Sequence, residues 1–108
     1  MKNLKKLKNS FNCLKVLAQC NRKMRKSILA NADKDLVNSI CECVLNVLMG
    51  NVKLDDNVIH SLKKHKGTLR ELLKQKDKRK EILIQKGGFI QYLIPPLIQV
   101  IADLITSD

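Results

Sequence analysis

Residues 33–50, DKDLVNSICECVLNVLMG, decide the fold of this chain of 108 residues. Apolar side chains recur there every three or four positions and cover most of a helix surface, so we predict a helix that forms the buried axis of the domain. Asn31 or Asp33 offers an N-cap, and Gly50 supplies the left-handed residue that commonly follows a helix. The predicted central stripe of this helix is Ile40, Val44 and Leu48.

Two helices are predicted before this axis. The first is basic and amphipathic, with lysines outside an apolar stripe that could dock on the domain, pair with a partner helix or lie on an anionic membrane. The stripe consists of Leu4, Leu7, Phe11, Leu14 and Leu17. The second helix is short and covers Arg22 to Ala30.

Short helices also follow the axis. Asp55 or Asp56 can cap the next one, which contains Val58, Ile59 and Leu62. Thr68 and Glu71 have the spacing of a capping box for a further helix. Asp77 can cap the helix after that, which ends at Gly87 and Gly88. This helix contains residues 82–84, an ambiguous segment because three apolar residues in a row also suit a strand. We therefore predict an all-α fold, a compact bundle of five to six short helices with a basic amphipathic N-terminal helix and an apolar C-terminal helix.

The tail from Phe89 to Ile105 is the most apolar part of the chain. It does not resemble a membrane span, which needs about 20 mostly apolar residues, because two prolines, two glutamines and Asp103 interrupt it. Pro95 and Pro96 predict a break followed by a helix from Pro96 to Ile105, since proline is tolerated in a first helical turn and not inside. This helix could pack on the domain, or it could be a membrane-active or partner-inserted tail; we expect it to pack on the domain.

These patterns divide the chain into three parts. Residues 1–21 form the basic N-terminal helix, residues 22–86 form the helical core domain, and residues 87–108 form a diglycine hinge and the apolar tail. The start of the chain is charged at every second or third position and lacks the apolar run of a signal peptide. Together with the sparse cysteines, this indicates reduced thiols and an intracellular protein.

Positive charge is segregated along the chain, whose net charge is +11. Residues 1–26 contain nine basic residues and no acidic one, and residues 63–86 contain ten basic residues against three acidic ones. Residues 89–108 contain no basic residue. Clustered like charge is self-repulsive, and a polyanion such as DNA or an anionic membrane would relieve that repulsion.

Catalytic and metal-binding motifs find little support. The sequence lacks metalloprotease spacing, a phosphate-cradling glycine loop and a nucleophile elbow, so we expect no enzymatic activity and no cofactor. Cys41 and Cys43 lie two apart on a predicted helix and point to different faces, so they cannot easily bind one metal ion. The four cysteines are interpreted instead as small buried hydrophobic residues. The two histidines, His60 and His65, lie among lysines and are expected at the surface.

Two basic clusters are the candidate phosphate contacts. Lysines outnumber arginines in them, and lysine acts as a point charge on phosphate, so we expect binding to double-stranded DNA with little sequence preference. The alternative is a solvated basic surface. The candidates in the larger cluster are Lys63, Lys64, Lys66, Arg70, Lys74, Lys76, Lys78, Arg79 and Lys80, and those in the smaller one are Arg22, Lys23, Arg25 and Lys26.

The block from Arg25 to Val52, RKSILANADKDLVNSICECVLNVLMGNV, resembles small basic proteins of Maverick/Polinton and adintovirus-like DNA elements of animals. The resemblance starts near Arg22 and includes the lysine-rich middle and the sequence Gly87-Gly88-Phe89 before an apolar end. Such elements resemble adenoviruses in carrying capsid proteins, a packaging ATPase and a cysteine protease. The resemblance implies a small virion or core component, located in the nucleus or the virion, with capsid or other viral proteins as further partners.

The same resemblance gives the diglycine a second interpretation. Adenovirus-type proteases favour an apolar residue, then any residue, then Gly-Gly, and the segment from Gln85 to Gly88 is similar apart from the glutamine. Cleavage at Gly87 and Gly88 would release the apolar tail from the basic body. Helix termination is the simpler explanation of the two glycines.

The sequence therefore predicts a non-enzymatic DNA-binding protein, with a packaging role in a virion-like particle of a mobile element. The alternatives are a helical protein-interaction module and a membrane-active, minor-capsid-like protein that acts through its tail. A homo-oligomer is compatible with each of these functions.

Overall fold

A computed structural model describes residues 4–106 of the chain, with side chains for 8–103 and 106. The first two stripe positions, Leu4 and Leu7, and the last residue of the predicted tail helix, Ile105, therefore lie outside the described side chains. Two 3₁₀ turns, Lys76–Lys78 and Gly87–Phe89, precede the last two helices. The helices are α1 (Leu4–Gln19), α2 (Arg22–Ala30), α3 (Lys34–Leu48), α4 (Asp56–Lys63), α5 (Lys66–Lys74), α6 (Arg79–Lys86) and α7 (Ile90–Thr106).

The central helix α3 begins and ends as the sequence predicts. Asp33 occupies the N-cap, and its Oδ1 accepts a hydrogen bond from the Leu36 N–H at 2.8 Å. Gly50 follows the helix with φ of +74°, a left-handed conformation that side chains rarely adopt. Ile40 and Val44 are fully buried.

The third residue of the predicted central stripe is not buried. Leu48 is 45% exposed, so its assignment to the core was wrong. It lies at the last residue of α3, where the chain turns away at Gly50, and the following segment leaves an open groove there instead of a lid. The helical period places Leu48 one turn after Val44 on the same face of α3, but Leu48 lines the open groove and is only partly covered.

The first and last helices pack against each other, and both contact α3. Leu14 and Leu17 of α1 are buried in this contact region. The apolar face of the tail is fully buried, as expected for a tail that packs on the domain; its buried residues are Phe89, Ile90, Leu93, Ile94, Leu97 and Ile101. The tail, α1 and α3 therefore contribute to one hydrophobic core.

The predicted break at the two prolines does not occur, because α7 runs from Ile90 through Pro95 and Pro96 to Thr106. Each proline removes one helical N–H donor, which costs stability. Leu93, Ile94 and Leu97 around the prolines are fully buried. Burial of this face outweighs the local cost of the prolines, and the helix continues.

Two predicted N-caps differ from the structure, and a third is in place without its hydrogen bond. Helix α5 begins at Lys66 and includes Thr68, so Thr68 and Glu71 form no capping box. Asp77 lies in a 3₁₀ turn, and Lys78 stands at the N-cap of α6. Asp55 occupies the N-cap of α4, as predicted, but makes no side-chain cap hydrogen bond.

The ambiguous segment 82–84 is helical and lies in α6. No β-strand occurs between residues 4 and 106. Helix α6 contacts both α5 and α2, so three basic helices are neighbours on one side of the bundle. The radius of gyration is 12.8 Å, the value of a compact domain of this length. The prediction of an all-α compact bundle is confirmed.

Candidate nucleic-acid interface

Helix α5 presents a line of positive charge to solvent. Lys66, Arg70 and Lys74 are spaced by four residues, which places them on one side of a helix, and all three are exposed. Leu69 and Leu72 are buried on the opposite side. The apolar half of this short helix thus holds the cationic half at the surface.

Basic residues at both ends of α5 extend this line. Lys63 and Lys64 end α4, and Lys76 and Lys78 lie in the 3₁₀ turn after α5; all four are exposed. None of them, nor any of the three residues on α5, forms an ion pair with a residue whose side chain is described. We call the seven residues the lysine face: Lys63, Lys64, Lys66, Arg70, Lys74, Lys76 and Lys78.

The last two candidates of the larger cluster have structural contacts. Arg79 is partly buried, and its Nε donates a hydrogen bond to the Leu72 carbonyl oxygen at 3.1 Å, which ties α6 to α5. Lys80 is exposed, and its Nζ donates to the Ala32 carbonyl oxygen at 3.0 Å. These two side chains are therefore less free to reach a phosphate than the lysine face is.

The smaller basic cluster lies on α2, beside α6. Arg22, Lys23 and Lys26 are exposed there. Arg25 differs, because it is only 8% exposed. Arg25 therefore differs in exposure from its neighbours on α2, and the spacing of charges along the helix does not reveal that difference.

A cleft of about 360 Å³ lies where α2, α5 and α6 meet. Arg22, Arg25 and Lys26 line it from α2, and residues omitted from the sequence-based candidates complete it. These additional residues are His65, Thr68, Gln85 and Lys86, together with Gly88. The packing of α2 on α6 brings these residues together, and the sequence does not specify that packing. The only part of the cleft that the sequence indicates is the set of α2 cations, which are spaced by three and four residues.

The diglycine ends α6 and continues as a 3₁₀ turn, in agreement with helix termination. Gly87 is buried, and a Cβ atom added there would lie 3.5 Å from side-chain carbons of Leu29 and Ile90. A protease requires an exposed, extended segment. Cleavage at this position would therefore need local unfolding of the end of α6.

The cysteines divide into two kinds. Cys41 and Cys43 are buried, as predicted, and burial raises the pKa of Cys41 to about 11 and that of Cys43 to about 12. Cys13 is exposed, so the prediction of a buried residue was wrong there, and Cys20 is partly buried.

The described part of the chain contains no group of three or more His, Cys, Asp or Glu side chains that could hold a metal ion. No helix within it is both long and apolar enough to cross a bilayer.

An apolar groove of about 690 Å³ opens between the end of α3 and helices α4 and α5. It is lined mainly by aliphatic side chains, with Lys63 and Lys66 of the lysine face among its lining residues. The exposed Leu48 and Ile59 lie in it. The groove is an apolar surface that α3, α4 and α5 offer to a partner.

The chain was compared with protein-family models, with curated proteins and with solved structures, and none of the three comparisons gives a match.

Proposed function

We propose that this protein binds double-stranded DNA without enzymatic activity, through phosphate contacts made by the lysine face and the exposed cations of α2. The supporting observation is the continuous exposed line of cations on α5 that no described acidic side chain neutralises. Such a surface gains free energy by displacing the counterions condensed on DNA. Lysine contributes most of the charge, so the contacts position the backbone and read little sequence.

The test is a series of electrophoretic mobility shifts with random-sequence duplex DNA at several salt concentrations. If about six phosphates are neutralised, log K should fall with log salt with a slope of about −5. A triple variant, Lys66→Gln, Arg70→Gln and Lys74→Gln, should weaken binding and flatten the slope by about three units, since each lost contact removes about 0.9. Helicity should stay unchanged, because these side chains are exposed.

The control variant removes charge elsewhere. Lys8 and Lys15 are exposed on α1, a helix that contributes no residue to the lysine face. Their replacement by Gln should reduce affinity less, per charge removed, than the α5 triple variant does. A salt-independent affinity, or equal losses per charge removed in the two variants, would argue against a defined DNA-binding face.

The resemblance to proteins of Maverick/Polinton-type elements extends the proposal to DNA packaging in a virion-like particle, in the nucleus or in the virion itself. A packaging protein should compact long DNA as well as bind short duplexes. Light scattering of a long duplex titrated with the protein would show a decrease in hydrodynamic radius. The α5 triple variant should need more protein to produce the same decrease.

The second candidate function, a protein-interaction module, is supported by the apolar groove beside Leu48. The apolar stripe of α1 and the tail are the surfaces that the sequence offers for such a role. In the structure they pack largely against each other. If the groove binds a second copy of the chain, Leu48→Asp should abolish self-association in analytical ultracentrifugation. A wild-type protein that stays monomeric at high concentration would remove this candidate without affecting the DNA-binding proposal.

A further inference from the structure

The Arg25 side chain is mostly buried, yet no described group pairs with its charge. The residue is only 8% exposed, and its side chain forms no ion pair with a described acidic side chain. Among the described residues, no fully buried side-chain nitrogen or oxygen lacks a hydrogen-bond partner, so the guanidinium group of Arg25 reaches water through the cleft that it lines. A guanidinium group stays charged in proteins, and one that opens into a cleft is available to an anion.

The surroundings of Arg25 add positive charge. Its side chain lies in the cleft between α2, α5 and α6, together with Arg22, Lys26 and Lys86. One of these four cations is paired with an acid, because Lys86 Nζ lies 3.2 Å from Oε2 of Glu71. No acidic residue lines the cleft. The cleft therefore repels cations and attracts an anion.

The shape and donors of the cleft select the kind of anion. The Arg25 Nε lies 4.0 Å from the position of a Cβ added at Gly87, so the side chain passes close to the buried Gly87. Thr68 and His65 add further polar groups to the wall. Planar guanidinium donors beside ammonium groups and a hydroxyl suit a tetrahedral oxyanion, which accepts several hydrogen bonds at once.

We propose that this cleft binds one phosphate group, with Arg25 as its central ligand. The site differs from the lysine face, where exposed cations act as diffuse charge, because the mostly buried Arg25 side chain holds its guanidinium group at one position in the cleft. Phosphate is the shared chemistry of two sources, a DNA backbone and a free phosphate or phosphate ester. The proposal concerns the phosphate group, and it does not depend on DNA binding by the lysine face.

The test follows the Arg25 Nε–H signal by NMR while inorganic phosphate replaces chloride at constant ionic strength. Saturable movement of this signal is expected, with a parallel rise in melting temperature, because a ligand that binds only the folded state stabilises it. Arg25→Met should reduce phosphate affinity by about tenfold or more, the loss expected for charge-assisted hydrogen bonds. In Lys15→Gln, which removes an exposed charge from α1, a helix that lines no part of the cleft, affinity should fall less than twofold.

A second variant and a DNA arm complete the experiment. Arg22→Gln removes an exposed cleft cation, so it should fold normally and weaken phosphate binding even if Arg25→Met does not fold. A short duplex should move the Arg25 signal if the bound phosphate belongs to DNA; phosphate binding without a response to the duplex would assign the site to free phosphate compounds. An Arg25 signal that neither probe moves, or phosphate affinity unchanged in Arg22→Gln, would overturn the proposal.

Discussion

Val44 and Leu48 are one helical turn apart on α3, yet one is fully buried and the other is 45% exposed. The helical period treats the two residues alike, because it reports only which face of α3 they share. The two residues differ in how much of each side chain other segments cover. That coverage depends on the path of the chain after Gly50, about which periodicity carries no information.

Truncation of the stripe should therefore give unequal losses of stability. Ile40→Ala should lower the free energy of unfolding by about 2–4 kcal/mol, because it removes a buried aliphatic group and leaves a cavity. Leu48→Ala should change it by no more than about 0.5 kcal/mol, as for most surface substitutions. Urea denaturation of the two variants measures the difference, and similar losses in both would place Leu48 back in the core.

Thiol reactivity should separate Cys13 from Cys43. The thiolate is the reactive form, and Cys43 is buried with its pKa raised to about 12, whereas Cys13 is exposed. A maleimide at neutral pH should modify Cys13 rapidly and Cys43 only after denaturation. Mass spectrometry of the labelled protein reports the site, and Cys13→Ser should eliminate the fast reaction. Rapid labelling of native Cys43 would contradict its burial.

The same burial makes stability depend on alkaline pH. The folded pKa of Cys43 lies above the ordinary value of 9.0, so between these values the unfolded state loses its thiol proton first. Deprotonation then favours unfolding, and stability falls as pH rises above 9.0. Compared with Cys43→Ala, the wild type should lose stability more steeply above that pH. Parallel pH profiles would mean that the thiol is accessible to water.

At the scale of the helix, capping provides a matched pair of aspartates. Asp33 accepts a cap hydrogen bond from Leu36 N–H, and Asp55 makes no side-chain cap bond at the start of α4. Asp33→Ala should therefore cost about 1 kcal/mol of stability, and Asp55→Ala clearly less. Thermal unfolding of both variants gives the comparison. Equal losses would indicate that general electrostatics at helix N-termini dominates over the specific bond.

Helix boundaries show where local signals suffice. The N-cap of α3 and the left-handed Gly50 were predictable because each acts within a few residues of itself. The continuation of α7 through Pro95 and Pro96 was not predictable, since it depends on the burial of Leu93, Ile94 and Leu97 against distant helices. Local rules predict that a proline destabilises a helix. Whether the helix continues depends on the free energy that its tertiary contacts contribute.

At the scale of the whole molecule, the basic surface was predictable in part. Exposure of Lys66, Arg70 and Lys74 follows from their spacing opposite the leucines of α5. The cleft around Arg25 was not predictable, because it requires α2, α5 and α6 to meet, and no local pattern specifies that contact. Charge blocks separated in the sequence thus become neighbours only through packing of the apolar faces beneath them.

Removal of the tail tests how far the fold depends on α7. Deletion of all residues after Gly88 removes six fully buried side chains, from Phe89 to Ile101, and uncovers the face of α1 that packs on them. A domain this small has little stability to spare, so the truncated protein should melt at a lower temperature or aggregate. The full-length variant Gln91→Ala, which changes an exposed tail residue, should melt like the wild type. A truncated protein with an unchanged melting temperature would contradict this dependence.

The pairing of α1 with α7 also has a consequence for biosynthesis. A ribosome delivers α1 well before α7, so the apolar face around Leu14 and Leu17 emerges before the helix that covers it. Contacts between segments far apart in sequence form slowly, and exposed apolar surface favours aggregation in the meantime. Nascent chains of this protein should therefore depend on chaperones until synthesis of α7 is complete, and prematurely terminated chains should be prone to degradation.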